Sequence, residues 1–327
     1  MKSDSILELI KKTKSKLTPE QFQERVNVVF HDHEAIHYDK LHKDMMESLQ
    51  EQIDLLVYDV FENHKLPNNL KLLDIGCGTG LSTQFLINSR INSYIDDITL
   101  LDTSSNMLKQ AEIKATNWNK KYRLINGYLS DLSNKFDLII ISSVLHHIPN
   151  LELFLNQVSE KLNSNGILIH LQDPNGDYLN DNIYLKRTKQ LFEYKKNKKN
   201  DRKWLDYLPK KLKQFIKRII GRKSYIDLVN DVLISEKSIY KPMTANEIWS
   251  VTDIHVELSD DKETKGISFN FLKNHLKQFD LIKQRSYGFY GELKSELNPD
   301  FKENESKFIQ ENQLNGRNIA CVWIKKN

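Results

Sequence analysis

The spacing of apolar residues along the chain changes period twice. Over the first 66 residues it is helical. Ile6, Leu7, Leu9 and Ile10 form a short stripe, and Thr18-Pro19-Glu20 reads as a helix start with Pro at the first helical position. Phe22, Val26, Val29 and Phe30 continue that second helix. Met45, Met46, Leu49, Ile53, Leu56, Val57, Val60 and Phe61 predict a longer amphipathic helix ending before Pro67, whose apolar face must cover something.

From Asn69 to about Pro174 the pattern switches to alternating strands and helices. Residues 71–75, 98–102, 122–126, 136–142 and 166–171 predict five strands. The fourth, Phe136-Asp137-Leu138-Ile139-Ile140-Ile141-Ser142, is a continuous apolar run of the kind buried on both faces. Residues 151–162 are amphipathic, with Asn165-Gly166 as a stop. Alternating βαβ units imply a parallel, doubly wound α/β sheet.

The rhythm breaks at residues 175–266, where Thr244-Ala245-Asn246-Glu247 reads as a capping box ahead of Ile248 and Trp249. An amphipathic helix over 267–279, a half-buried strand over 281–289, a polar excursion and a last strand over 318–325 close the chain. The late strand pair suits an antiparallel flank, which makes seven strands in all. The expected organisation is therefore a helical cap (1–66), a ligand-binding core (67–174), a helical insertion (175–266) and a closing helix with two strands (267–327).

The first strand runs into glycines at alternate positions, in Leu72-Leu73-Asp74-Ile75-Gly76-Cys77-Gly78-Thr79-Gly80. A strand, a glycine turn and a helix let backbone approach a ligand where a Cβ would clash. The spacing is Gly-x-Gly-x-Gly, whereas dinucleotide turns usually read Gly-x-Gly-x-x-Gly. Alone, this turn suits a dinucleotide, a flavin or no ligand. Asp102, at the end of the second strand, suits a ribose, because one carboxylate has two oxygens for two hydroxyls.

Taken as a series, these segments resemble the class I S-adenosylmethionine-dependent methyltransferases. The series is residues 72–80, Leu101-Asp102, Asn126-Gly127, then Phe136-Asp137-Leu138-Ile139 running into Ser143-Val144-Leu145-His146-His147. The resemblance covers roughly residues 34–174 and the last two strands. It implies S-adenosyl-L-methionine as cofactor, on a Rossmann-like sheet with N-terminal helices and a helical lid. It also implies that Asp74 and the Gly76 backbone hold the methionine end, with Gly78 allowing close approach and Asp102 and Thr103 at the ribose. Tyr38, Met107, Tyr128, Leu129, Ser142 and His147 complete the implied cofactor shell. One departure stands out. The family often has an acid after the glycine of the third segment, facing the adenine amino group, and this chain has Tyr128. The adenine is then left to backbone near Tyr128 and Leu129, or to Asp131.

Methyl transfer is an in-line displacement, and a base is needed only where the acceptor must lose a proton. His146 matches the base histidine of related small-molecule O-methyltransferases and is the first catalytic candidate; packing is its other reading. His255 is the second. His33-Glu34-Ala35-Ile36-His37 also spells the His-Glu-x-x-His of zinc peptidases, with Asp39 or His42 as conceivable third ligand. The same residues fit the methyltransferases' Ala-x-x-Tyr-Asp segment, so no metal is expected. Ser142 stands where metal-dependent relatives place an acid, which argues against bound Mg²⁺.

Composition narrows the class of partner. The chain has 327 residues, of which 39% are hydrophobic and 28% charged, as in globular proteins. No apolar run approaches a membrane span. The N-terminus lacks a signal core, so a cytoplasmic location is expected. Two cysteines exclude a disulfide framework or a cysteine zinc cage. Net charge is +4, yet residues 186–223 hold sixteen Lys or Arg against Glu193, Asp201 and Asp206, so the remainder is acidic. That segment suits an acidic carrier protein, a charged small molecule or RNA, with Trp204, Tyr207 and Phe215 as stacking or core residues. The preferred acceptor is a small molecule or a carrier-bound metabolite. RNA is the alternative, and a non-methylating fold that only binds the cofactor is a third class.

Overall fold

The computed structural model describes residues 3–178, 181–197, 224–254 and 266–327. Seven strands form one sheet: β1 (Leu70–Ile75), β2 (Ile95–Asp102), β3 (Lys121–Asn126), β4 (Phe136–Ser142), β5 (Leu162–Pro174), β6 (Phe279–Tyr287) and β7 (Asn318–Lys325). Their order is β3-β2-β1-β4-β5-β7-β6. The first five run parallel, and β7 lies antiparallel to both β5 and β6. This is the mostly parallel, doubly wound sheet that the pattern predicts.

The described helices are α1 (Ser3–Thr13), α2 (Pro19–Glu34), α3 (Tyr38–Leu41), α4 (Met45–Asn63), α5 (Leu81–Asn88), α6 (Ser105–Ala115), α7 (Leu151–Lys161), α8 (Asn182–Asn197), α9 (Tyr225–Ser235), α10 (Ala245–Thr252), α11 (Phe269–His275) and α12 (Pro299–Gln310). Side chains alternate across a strand, so each one feeds two cores. Leu72, Ile140, Ile169 and Val322 meet Leu49, Ile53, Leu56 and Val60 of α4 on one face. Leu73, Ile139, Leu168 and Trp323 meet Leu155 and Val158 of α7 and Leu272 of α11 on the other. The long N-terminal helix thus covers the sheet, fixed by Arg285 of β6, which donates to Asp59 of α4 at 2.6 and 2.8 Å.

A third core joins regions that the sequence pattern keeps apart. Ile6, Phe22, Val26 and Val29 of α1 and α2 pack with Val229, Leu233, Ile248 and Val251 of α9 and α10. Helices α1, α2, α9 and α10 therefore form one helical layer. It roofs the carboxyl ends of the parallel strands.

Several boundaries differ from expectation. β2 begins three residues earlier, and β5 extends from Leu162 to Pro174, where Asn165 turns with positive φ instead of ending a helix. The helix expected over 267–279 is only Phe269–His275, with Ser268 as its cap. The polar excursion contains α12, which sequence reading passed over. Asn298 caps it, Pro299 opens it, and its small apolar face, with Phe301, Phe308 and Ile309, is diluted by charge.

Candidate functional site

The parallel strands and the helical roof enclose a cavity of about 480 Å³, the size range of small-ligand sites. Its floor is the turn after β1. Gly76, Gly78 and Gly80 all have positive φ, and a Cβ at Gly76 would fall 2.5 Å from Val144 Cγ2. At Gly78 a Cβ would meet nothing within 4 Å, so this backbone borders open space that a ligand can fill.

Asp102 ends β2 on the cavity wall. Its two oxygens accept from the backbone N–H of Gly78 and of Ser104, both at 2.8 Å, which aims the carboxylate along the sheet edge. Burial raises its pKa, opposed by those two bonds. Tyr38, Gly76, Gly78, Thr103, Met107, Tyr128, Leu129, Ser142 and His147 lie on the same wall. Ten of the sequence-nominated residues, Asp102 included, are thereby brought to one cavity. Burial keeps the Tyr38 and Tyr128 hydroxyls protonated.

Two nominated residues, Asp74 and His146, lie off this wall. Asp74 is fully buried behind the turn, where it accepts from the Ser82 and Thr83 hydroxyls at 2.7 Å, and it does not reach the cavity. Those bonds fix the start of α5, while Asp74 Oδ1 is buried without a partner. Burial pushes its pKa up to about 6, against the hydroxyl bonds. His146 is also buried and sits one side chain behind the wall, its ring centroid 3.9 Å from that of His147. His255 lies outside the described residues.

The surroundings of His146 are nonetheless specific. Asp173, at the end of β5, accepts from both the backbone N–H of His146 and its Nδ1, at 3.1 and 2.8 Å. Nε2 faces Asp253 Oδ1 at 3.6 Å. His147 Nδ1 donates to the Thr252 carbonyl at 2.7 Å. Among the described residues, His146, His147 and Asp253 also form a cluster of possible metal ligands within 4.8 Å, which sequence reading did not foresee.

The His-Glu-x-x-His spelling is not expressed as a zinc helix. α2 ends at Glu34, so His37 does not follow His33 by one helical turn. Glu34 instead bonds His42 at 3.0 Å and pairs with His31 at 3.5 Å. Burial opposes its charge, but the two imidazoles outweigh it and hold the carboxyl down at about 2.

Sequence reading missed the roof's contribution. Gln23, Glu24, Asn27 and His31 of α2 line the cavity, as do Ser143 and Gln172. The signal was present: these polar positions recur at helical spacing opposite Phe22, Val26 and Val29.

The donor set suits a nucleoside with a charged amino-acid tail: a carboxylate for hydroxyls, a glycine backbone open to the cavity, and apolar Met107 and Leu129 beside them.

Residues 66–241 match a family model described as a methyltransferase domain. The chain is 38% identical over 118 residues to a probable S-adenosylmethionine-dependent methyltransferase, CRG1, of Saccharomyces cerevisiae, covering 34% of this chain and 38% of that protein. It is 26% identical over 131 residues to a malonyl-[acyl-carrier protein] O-methyltransferase of Acetivibrio thermocellus, covering 40% and 42%. With a ubiquinone biosynthesis O-methyltransferase of Rickettsia prowazekii it shares 23% identity over 235 residues, covering 69% and 73%. The chain spans less than half the length of most of the curated relatives it matches. With more than half of its length on that family model, the chain belongs to the methyltransferase-domain family, as a class I S-adenosyl-L-methionine-dependent methyltransferase.

Proposed function

We propose that this is a cytoplasmic enzyme of small-molecule biosynthesis that methylates an oxygen of a free or carrier-protein-bound metabolite. When bound, S-adenosylmethionine supplies a methyl on a sulfonium, open to in-line attack. Asp102 would hold the ribose hydroxyls, the Gly76–Gly78 backbone and Tyr38 the methionine end, and the roof would keep water out.

The observation that carries the choice of oxygen is the Asp173–His146 pair. An Nδ1–H donated to buried Asp173 would leave the Nε2 lone pair to act as a proton acceptor, with Asp253 Oδ1 3.6 Å away. Only an acceptor that must lose a proton, such as a hydroxyl, makes use of one. The names of the Acetivibrio and Rickettsia relatives, both O-methyltransferases, point the same way. Two free, buried cysteines suit a reducing compartment. Among the described residues no helix is long and apolar enough to cross a membrane. Trp204, Tyr207 and Phe215, read from the sequence as stacking or core residues, lie outside the described residues.

The test is incubation with methyl-labelled cofactor and, in parallel, a small-molecule extract, acyl carrier proteins and total RNA. Label in either of the first two supports the reading; label confined to RNA sinks it.

A further inference from the structure

The strand order sets out the cavity's contents from end to end. The glycine turn follows β1, Asp102 tips β2, and Tyr128 and Leu129 follow β3, in neighbouring places along the sheet edge. Granting the cofactor reading above, a sugar on Asp102 with its amino-acid tail at the turn must direct its base toward β3.

Among the described residues the β3 loop puts no carboxylate on the cavity wall, where Ser130 offers only a hydroxyl that donates to Asp131 Oδ1 at 3.4 Å. Asp131 turns back on its own loop: Oδ2 accepts the Tyr128 N–H at 2.8 Å and stands 2.6 Å from where a Gly127 Cβ would be. It is not on the cavity wall. The acceptors come from the roof. Glu20, Gln23, Glu24 and Asn27 of α2 face the cavity, and Glu24 Oε1 accepts from the Tyr128 hydroxyl. Asn27 Oδ1 is buried without a partner, and Glu24 is an exposed residue that also lines the cavity. A buried acceptor such as Asn27 Oδ1 is costly to leave unpaired, so it calls for a donor.

We propose that Glu24, held in place by Tyr128, and Asn27 read the 6-amino group of the cofactor's adenine. An exocyclic amine has two N–H donors for these two acceptors. They take the part of the acid that this chain lacks after Gly127. Because both sit on α2, base recognition and roof placement become one event.

Isothermal titration of the full chain with S-adenosylhomocysteine and with its deaminated counterpart, S-inosylhomocysteine, tests this. Hypoxanthine puts an oxygen where adenine has the amine. Wild type should bind the adenine form at least about tenfold more tightly, approaching a hundredfold if both bonds are lost. Glu24→Gln should bring the ratio toward one, since its amide can donate to the oxygen, and Asn27→Ala and Tyr128→Phe should each reduce it. Equal wild-type affinity for the two ligands overturns the proposal. So does a ratio that all three variants leave unchanged. Failure of wild type to bind S-adenosylhomocysteine at all overturns the cofactor reading beneath it, a separate outcome.

Discussion

Asp173 holds His146 twice, by the backbone N–H at 3.1 Å and by ring Nδ1 at 2.8 Å, although Asp173 lies at the end of β5 and His146 in the loop after β4. The double contact fixes both tautomer and ring plane. His146→Ala should lower kcat by about 10²–10³-fold, and Asp173→Asn by a smaller but clear factor, because amide and imidazole no longer agree on the proton. Cofactor affinity, by titration, should stay at the wild-type value in both. Unchanged turnover in His146→Ala would end the base assignment.

Two aspartates of the β1–β2 region should separate cleanly. Asp102→Asn removes charge from the cavity wall and should weaken cofactor binding by tenfold or more. Asp74→Asn should leave binding nearly intact and raise stability. The folded pKa of Asp74, about 6, exceeds its ordinary 3.8, so the folded state loses stability as pH rises between those values. The variant escapes that loss, of order 1–3 kcal/mol above pH 6. Its Tm should exceed wild type at pH 7.5 and converge below about pH 4. A lower Tm at pH 7.5 would refute this.

The Glu34–His42 pair sets a pH window for the roof. Its bond to Glu34 raises the His42 pKa, so this contribution is full below the ordinary 6.5 and fades as pH climbs through the raised value. Glu34, held at about 2, contributes fully above its ordinary 4.5 and fades as pH falls toward 2. The pair is therefore strongest between about pH 4.5 and 6.5. The Tm difference between wild type and His42→Ala should peak there and shrink by about pH 8.5.

Acids on the roof also grip the loops beneath. Asp39 pairs with Lys114 at 2.6 Å and accepts from Thr79, while Asp32 accepts from Ser104 and from the Asn106 N–H. Asp39→Asn should speed hydrogen exchange in residues 19–41. It should also raise the cofactor's dissociation rate several-fold, as loss of about 1 kcal/mol implies, with the saturated rate little changed.

What could be read from the sequence followed the range of the interactions. The sheet was legible because strand burial is written locally, as in Phe136 to Ser142, and the cavity floor because glycine spacing is a local backbone demand. α12 was obscured because its few apolar residues are scattered among charges. The bonds of Asp74 to Ser82 and Thr83 were not legible, because a motif gives a residue's place in the chain without the direction of its side chain. Glu24 and Asn27 were missed because their role depends on where α2 lies, and α2 is placed by Val229, Leu233 and Val251, some two hundred residues downstream.

That dependence has a consequence for synthesis. Phe22, Val26 and Val29 emerge from the ribosome early, and their partners on α9 and α10 emerge only after the five parallel strands are complete. Until then the first helices carry an exposed apolar face, and the nascent sheet still lacks β7, its antiparallel neighbour for β5. The cofactor pocket is thus among the last parts of the molecule to close. A chain interrupted before Tyr225 would keep the glycine turn and have no ceiling over it, making it a poor binder and a ready substrate for chaperones and proteases.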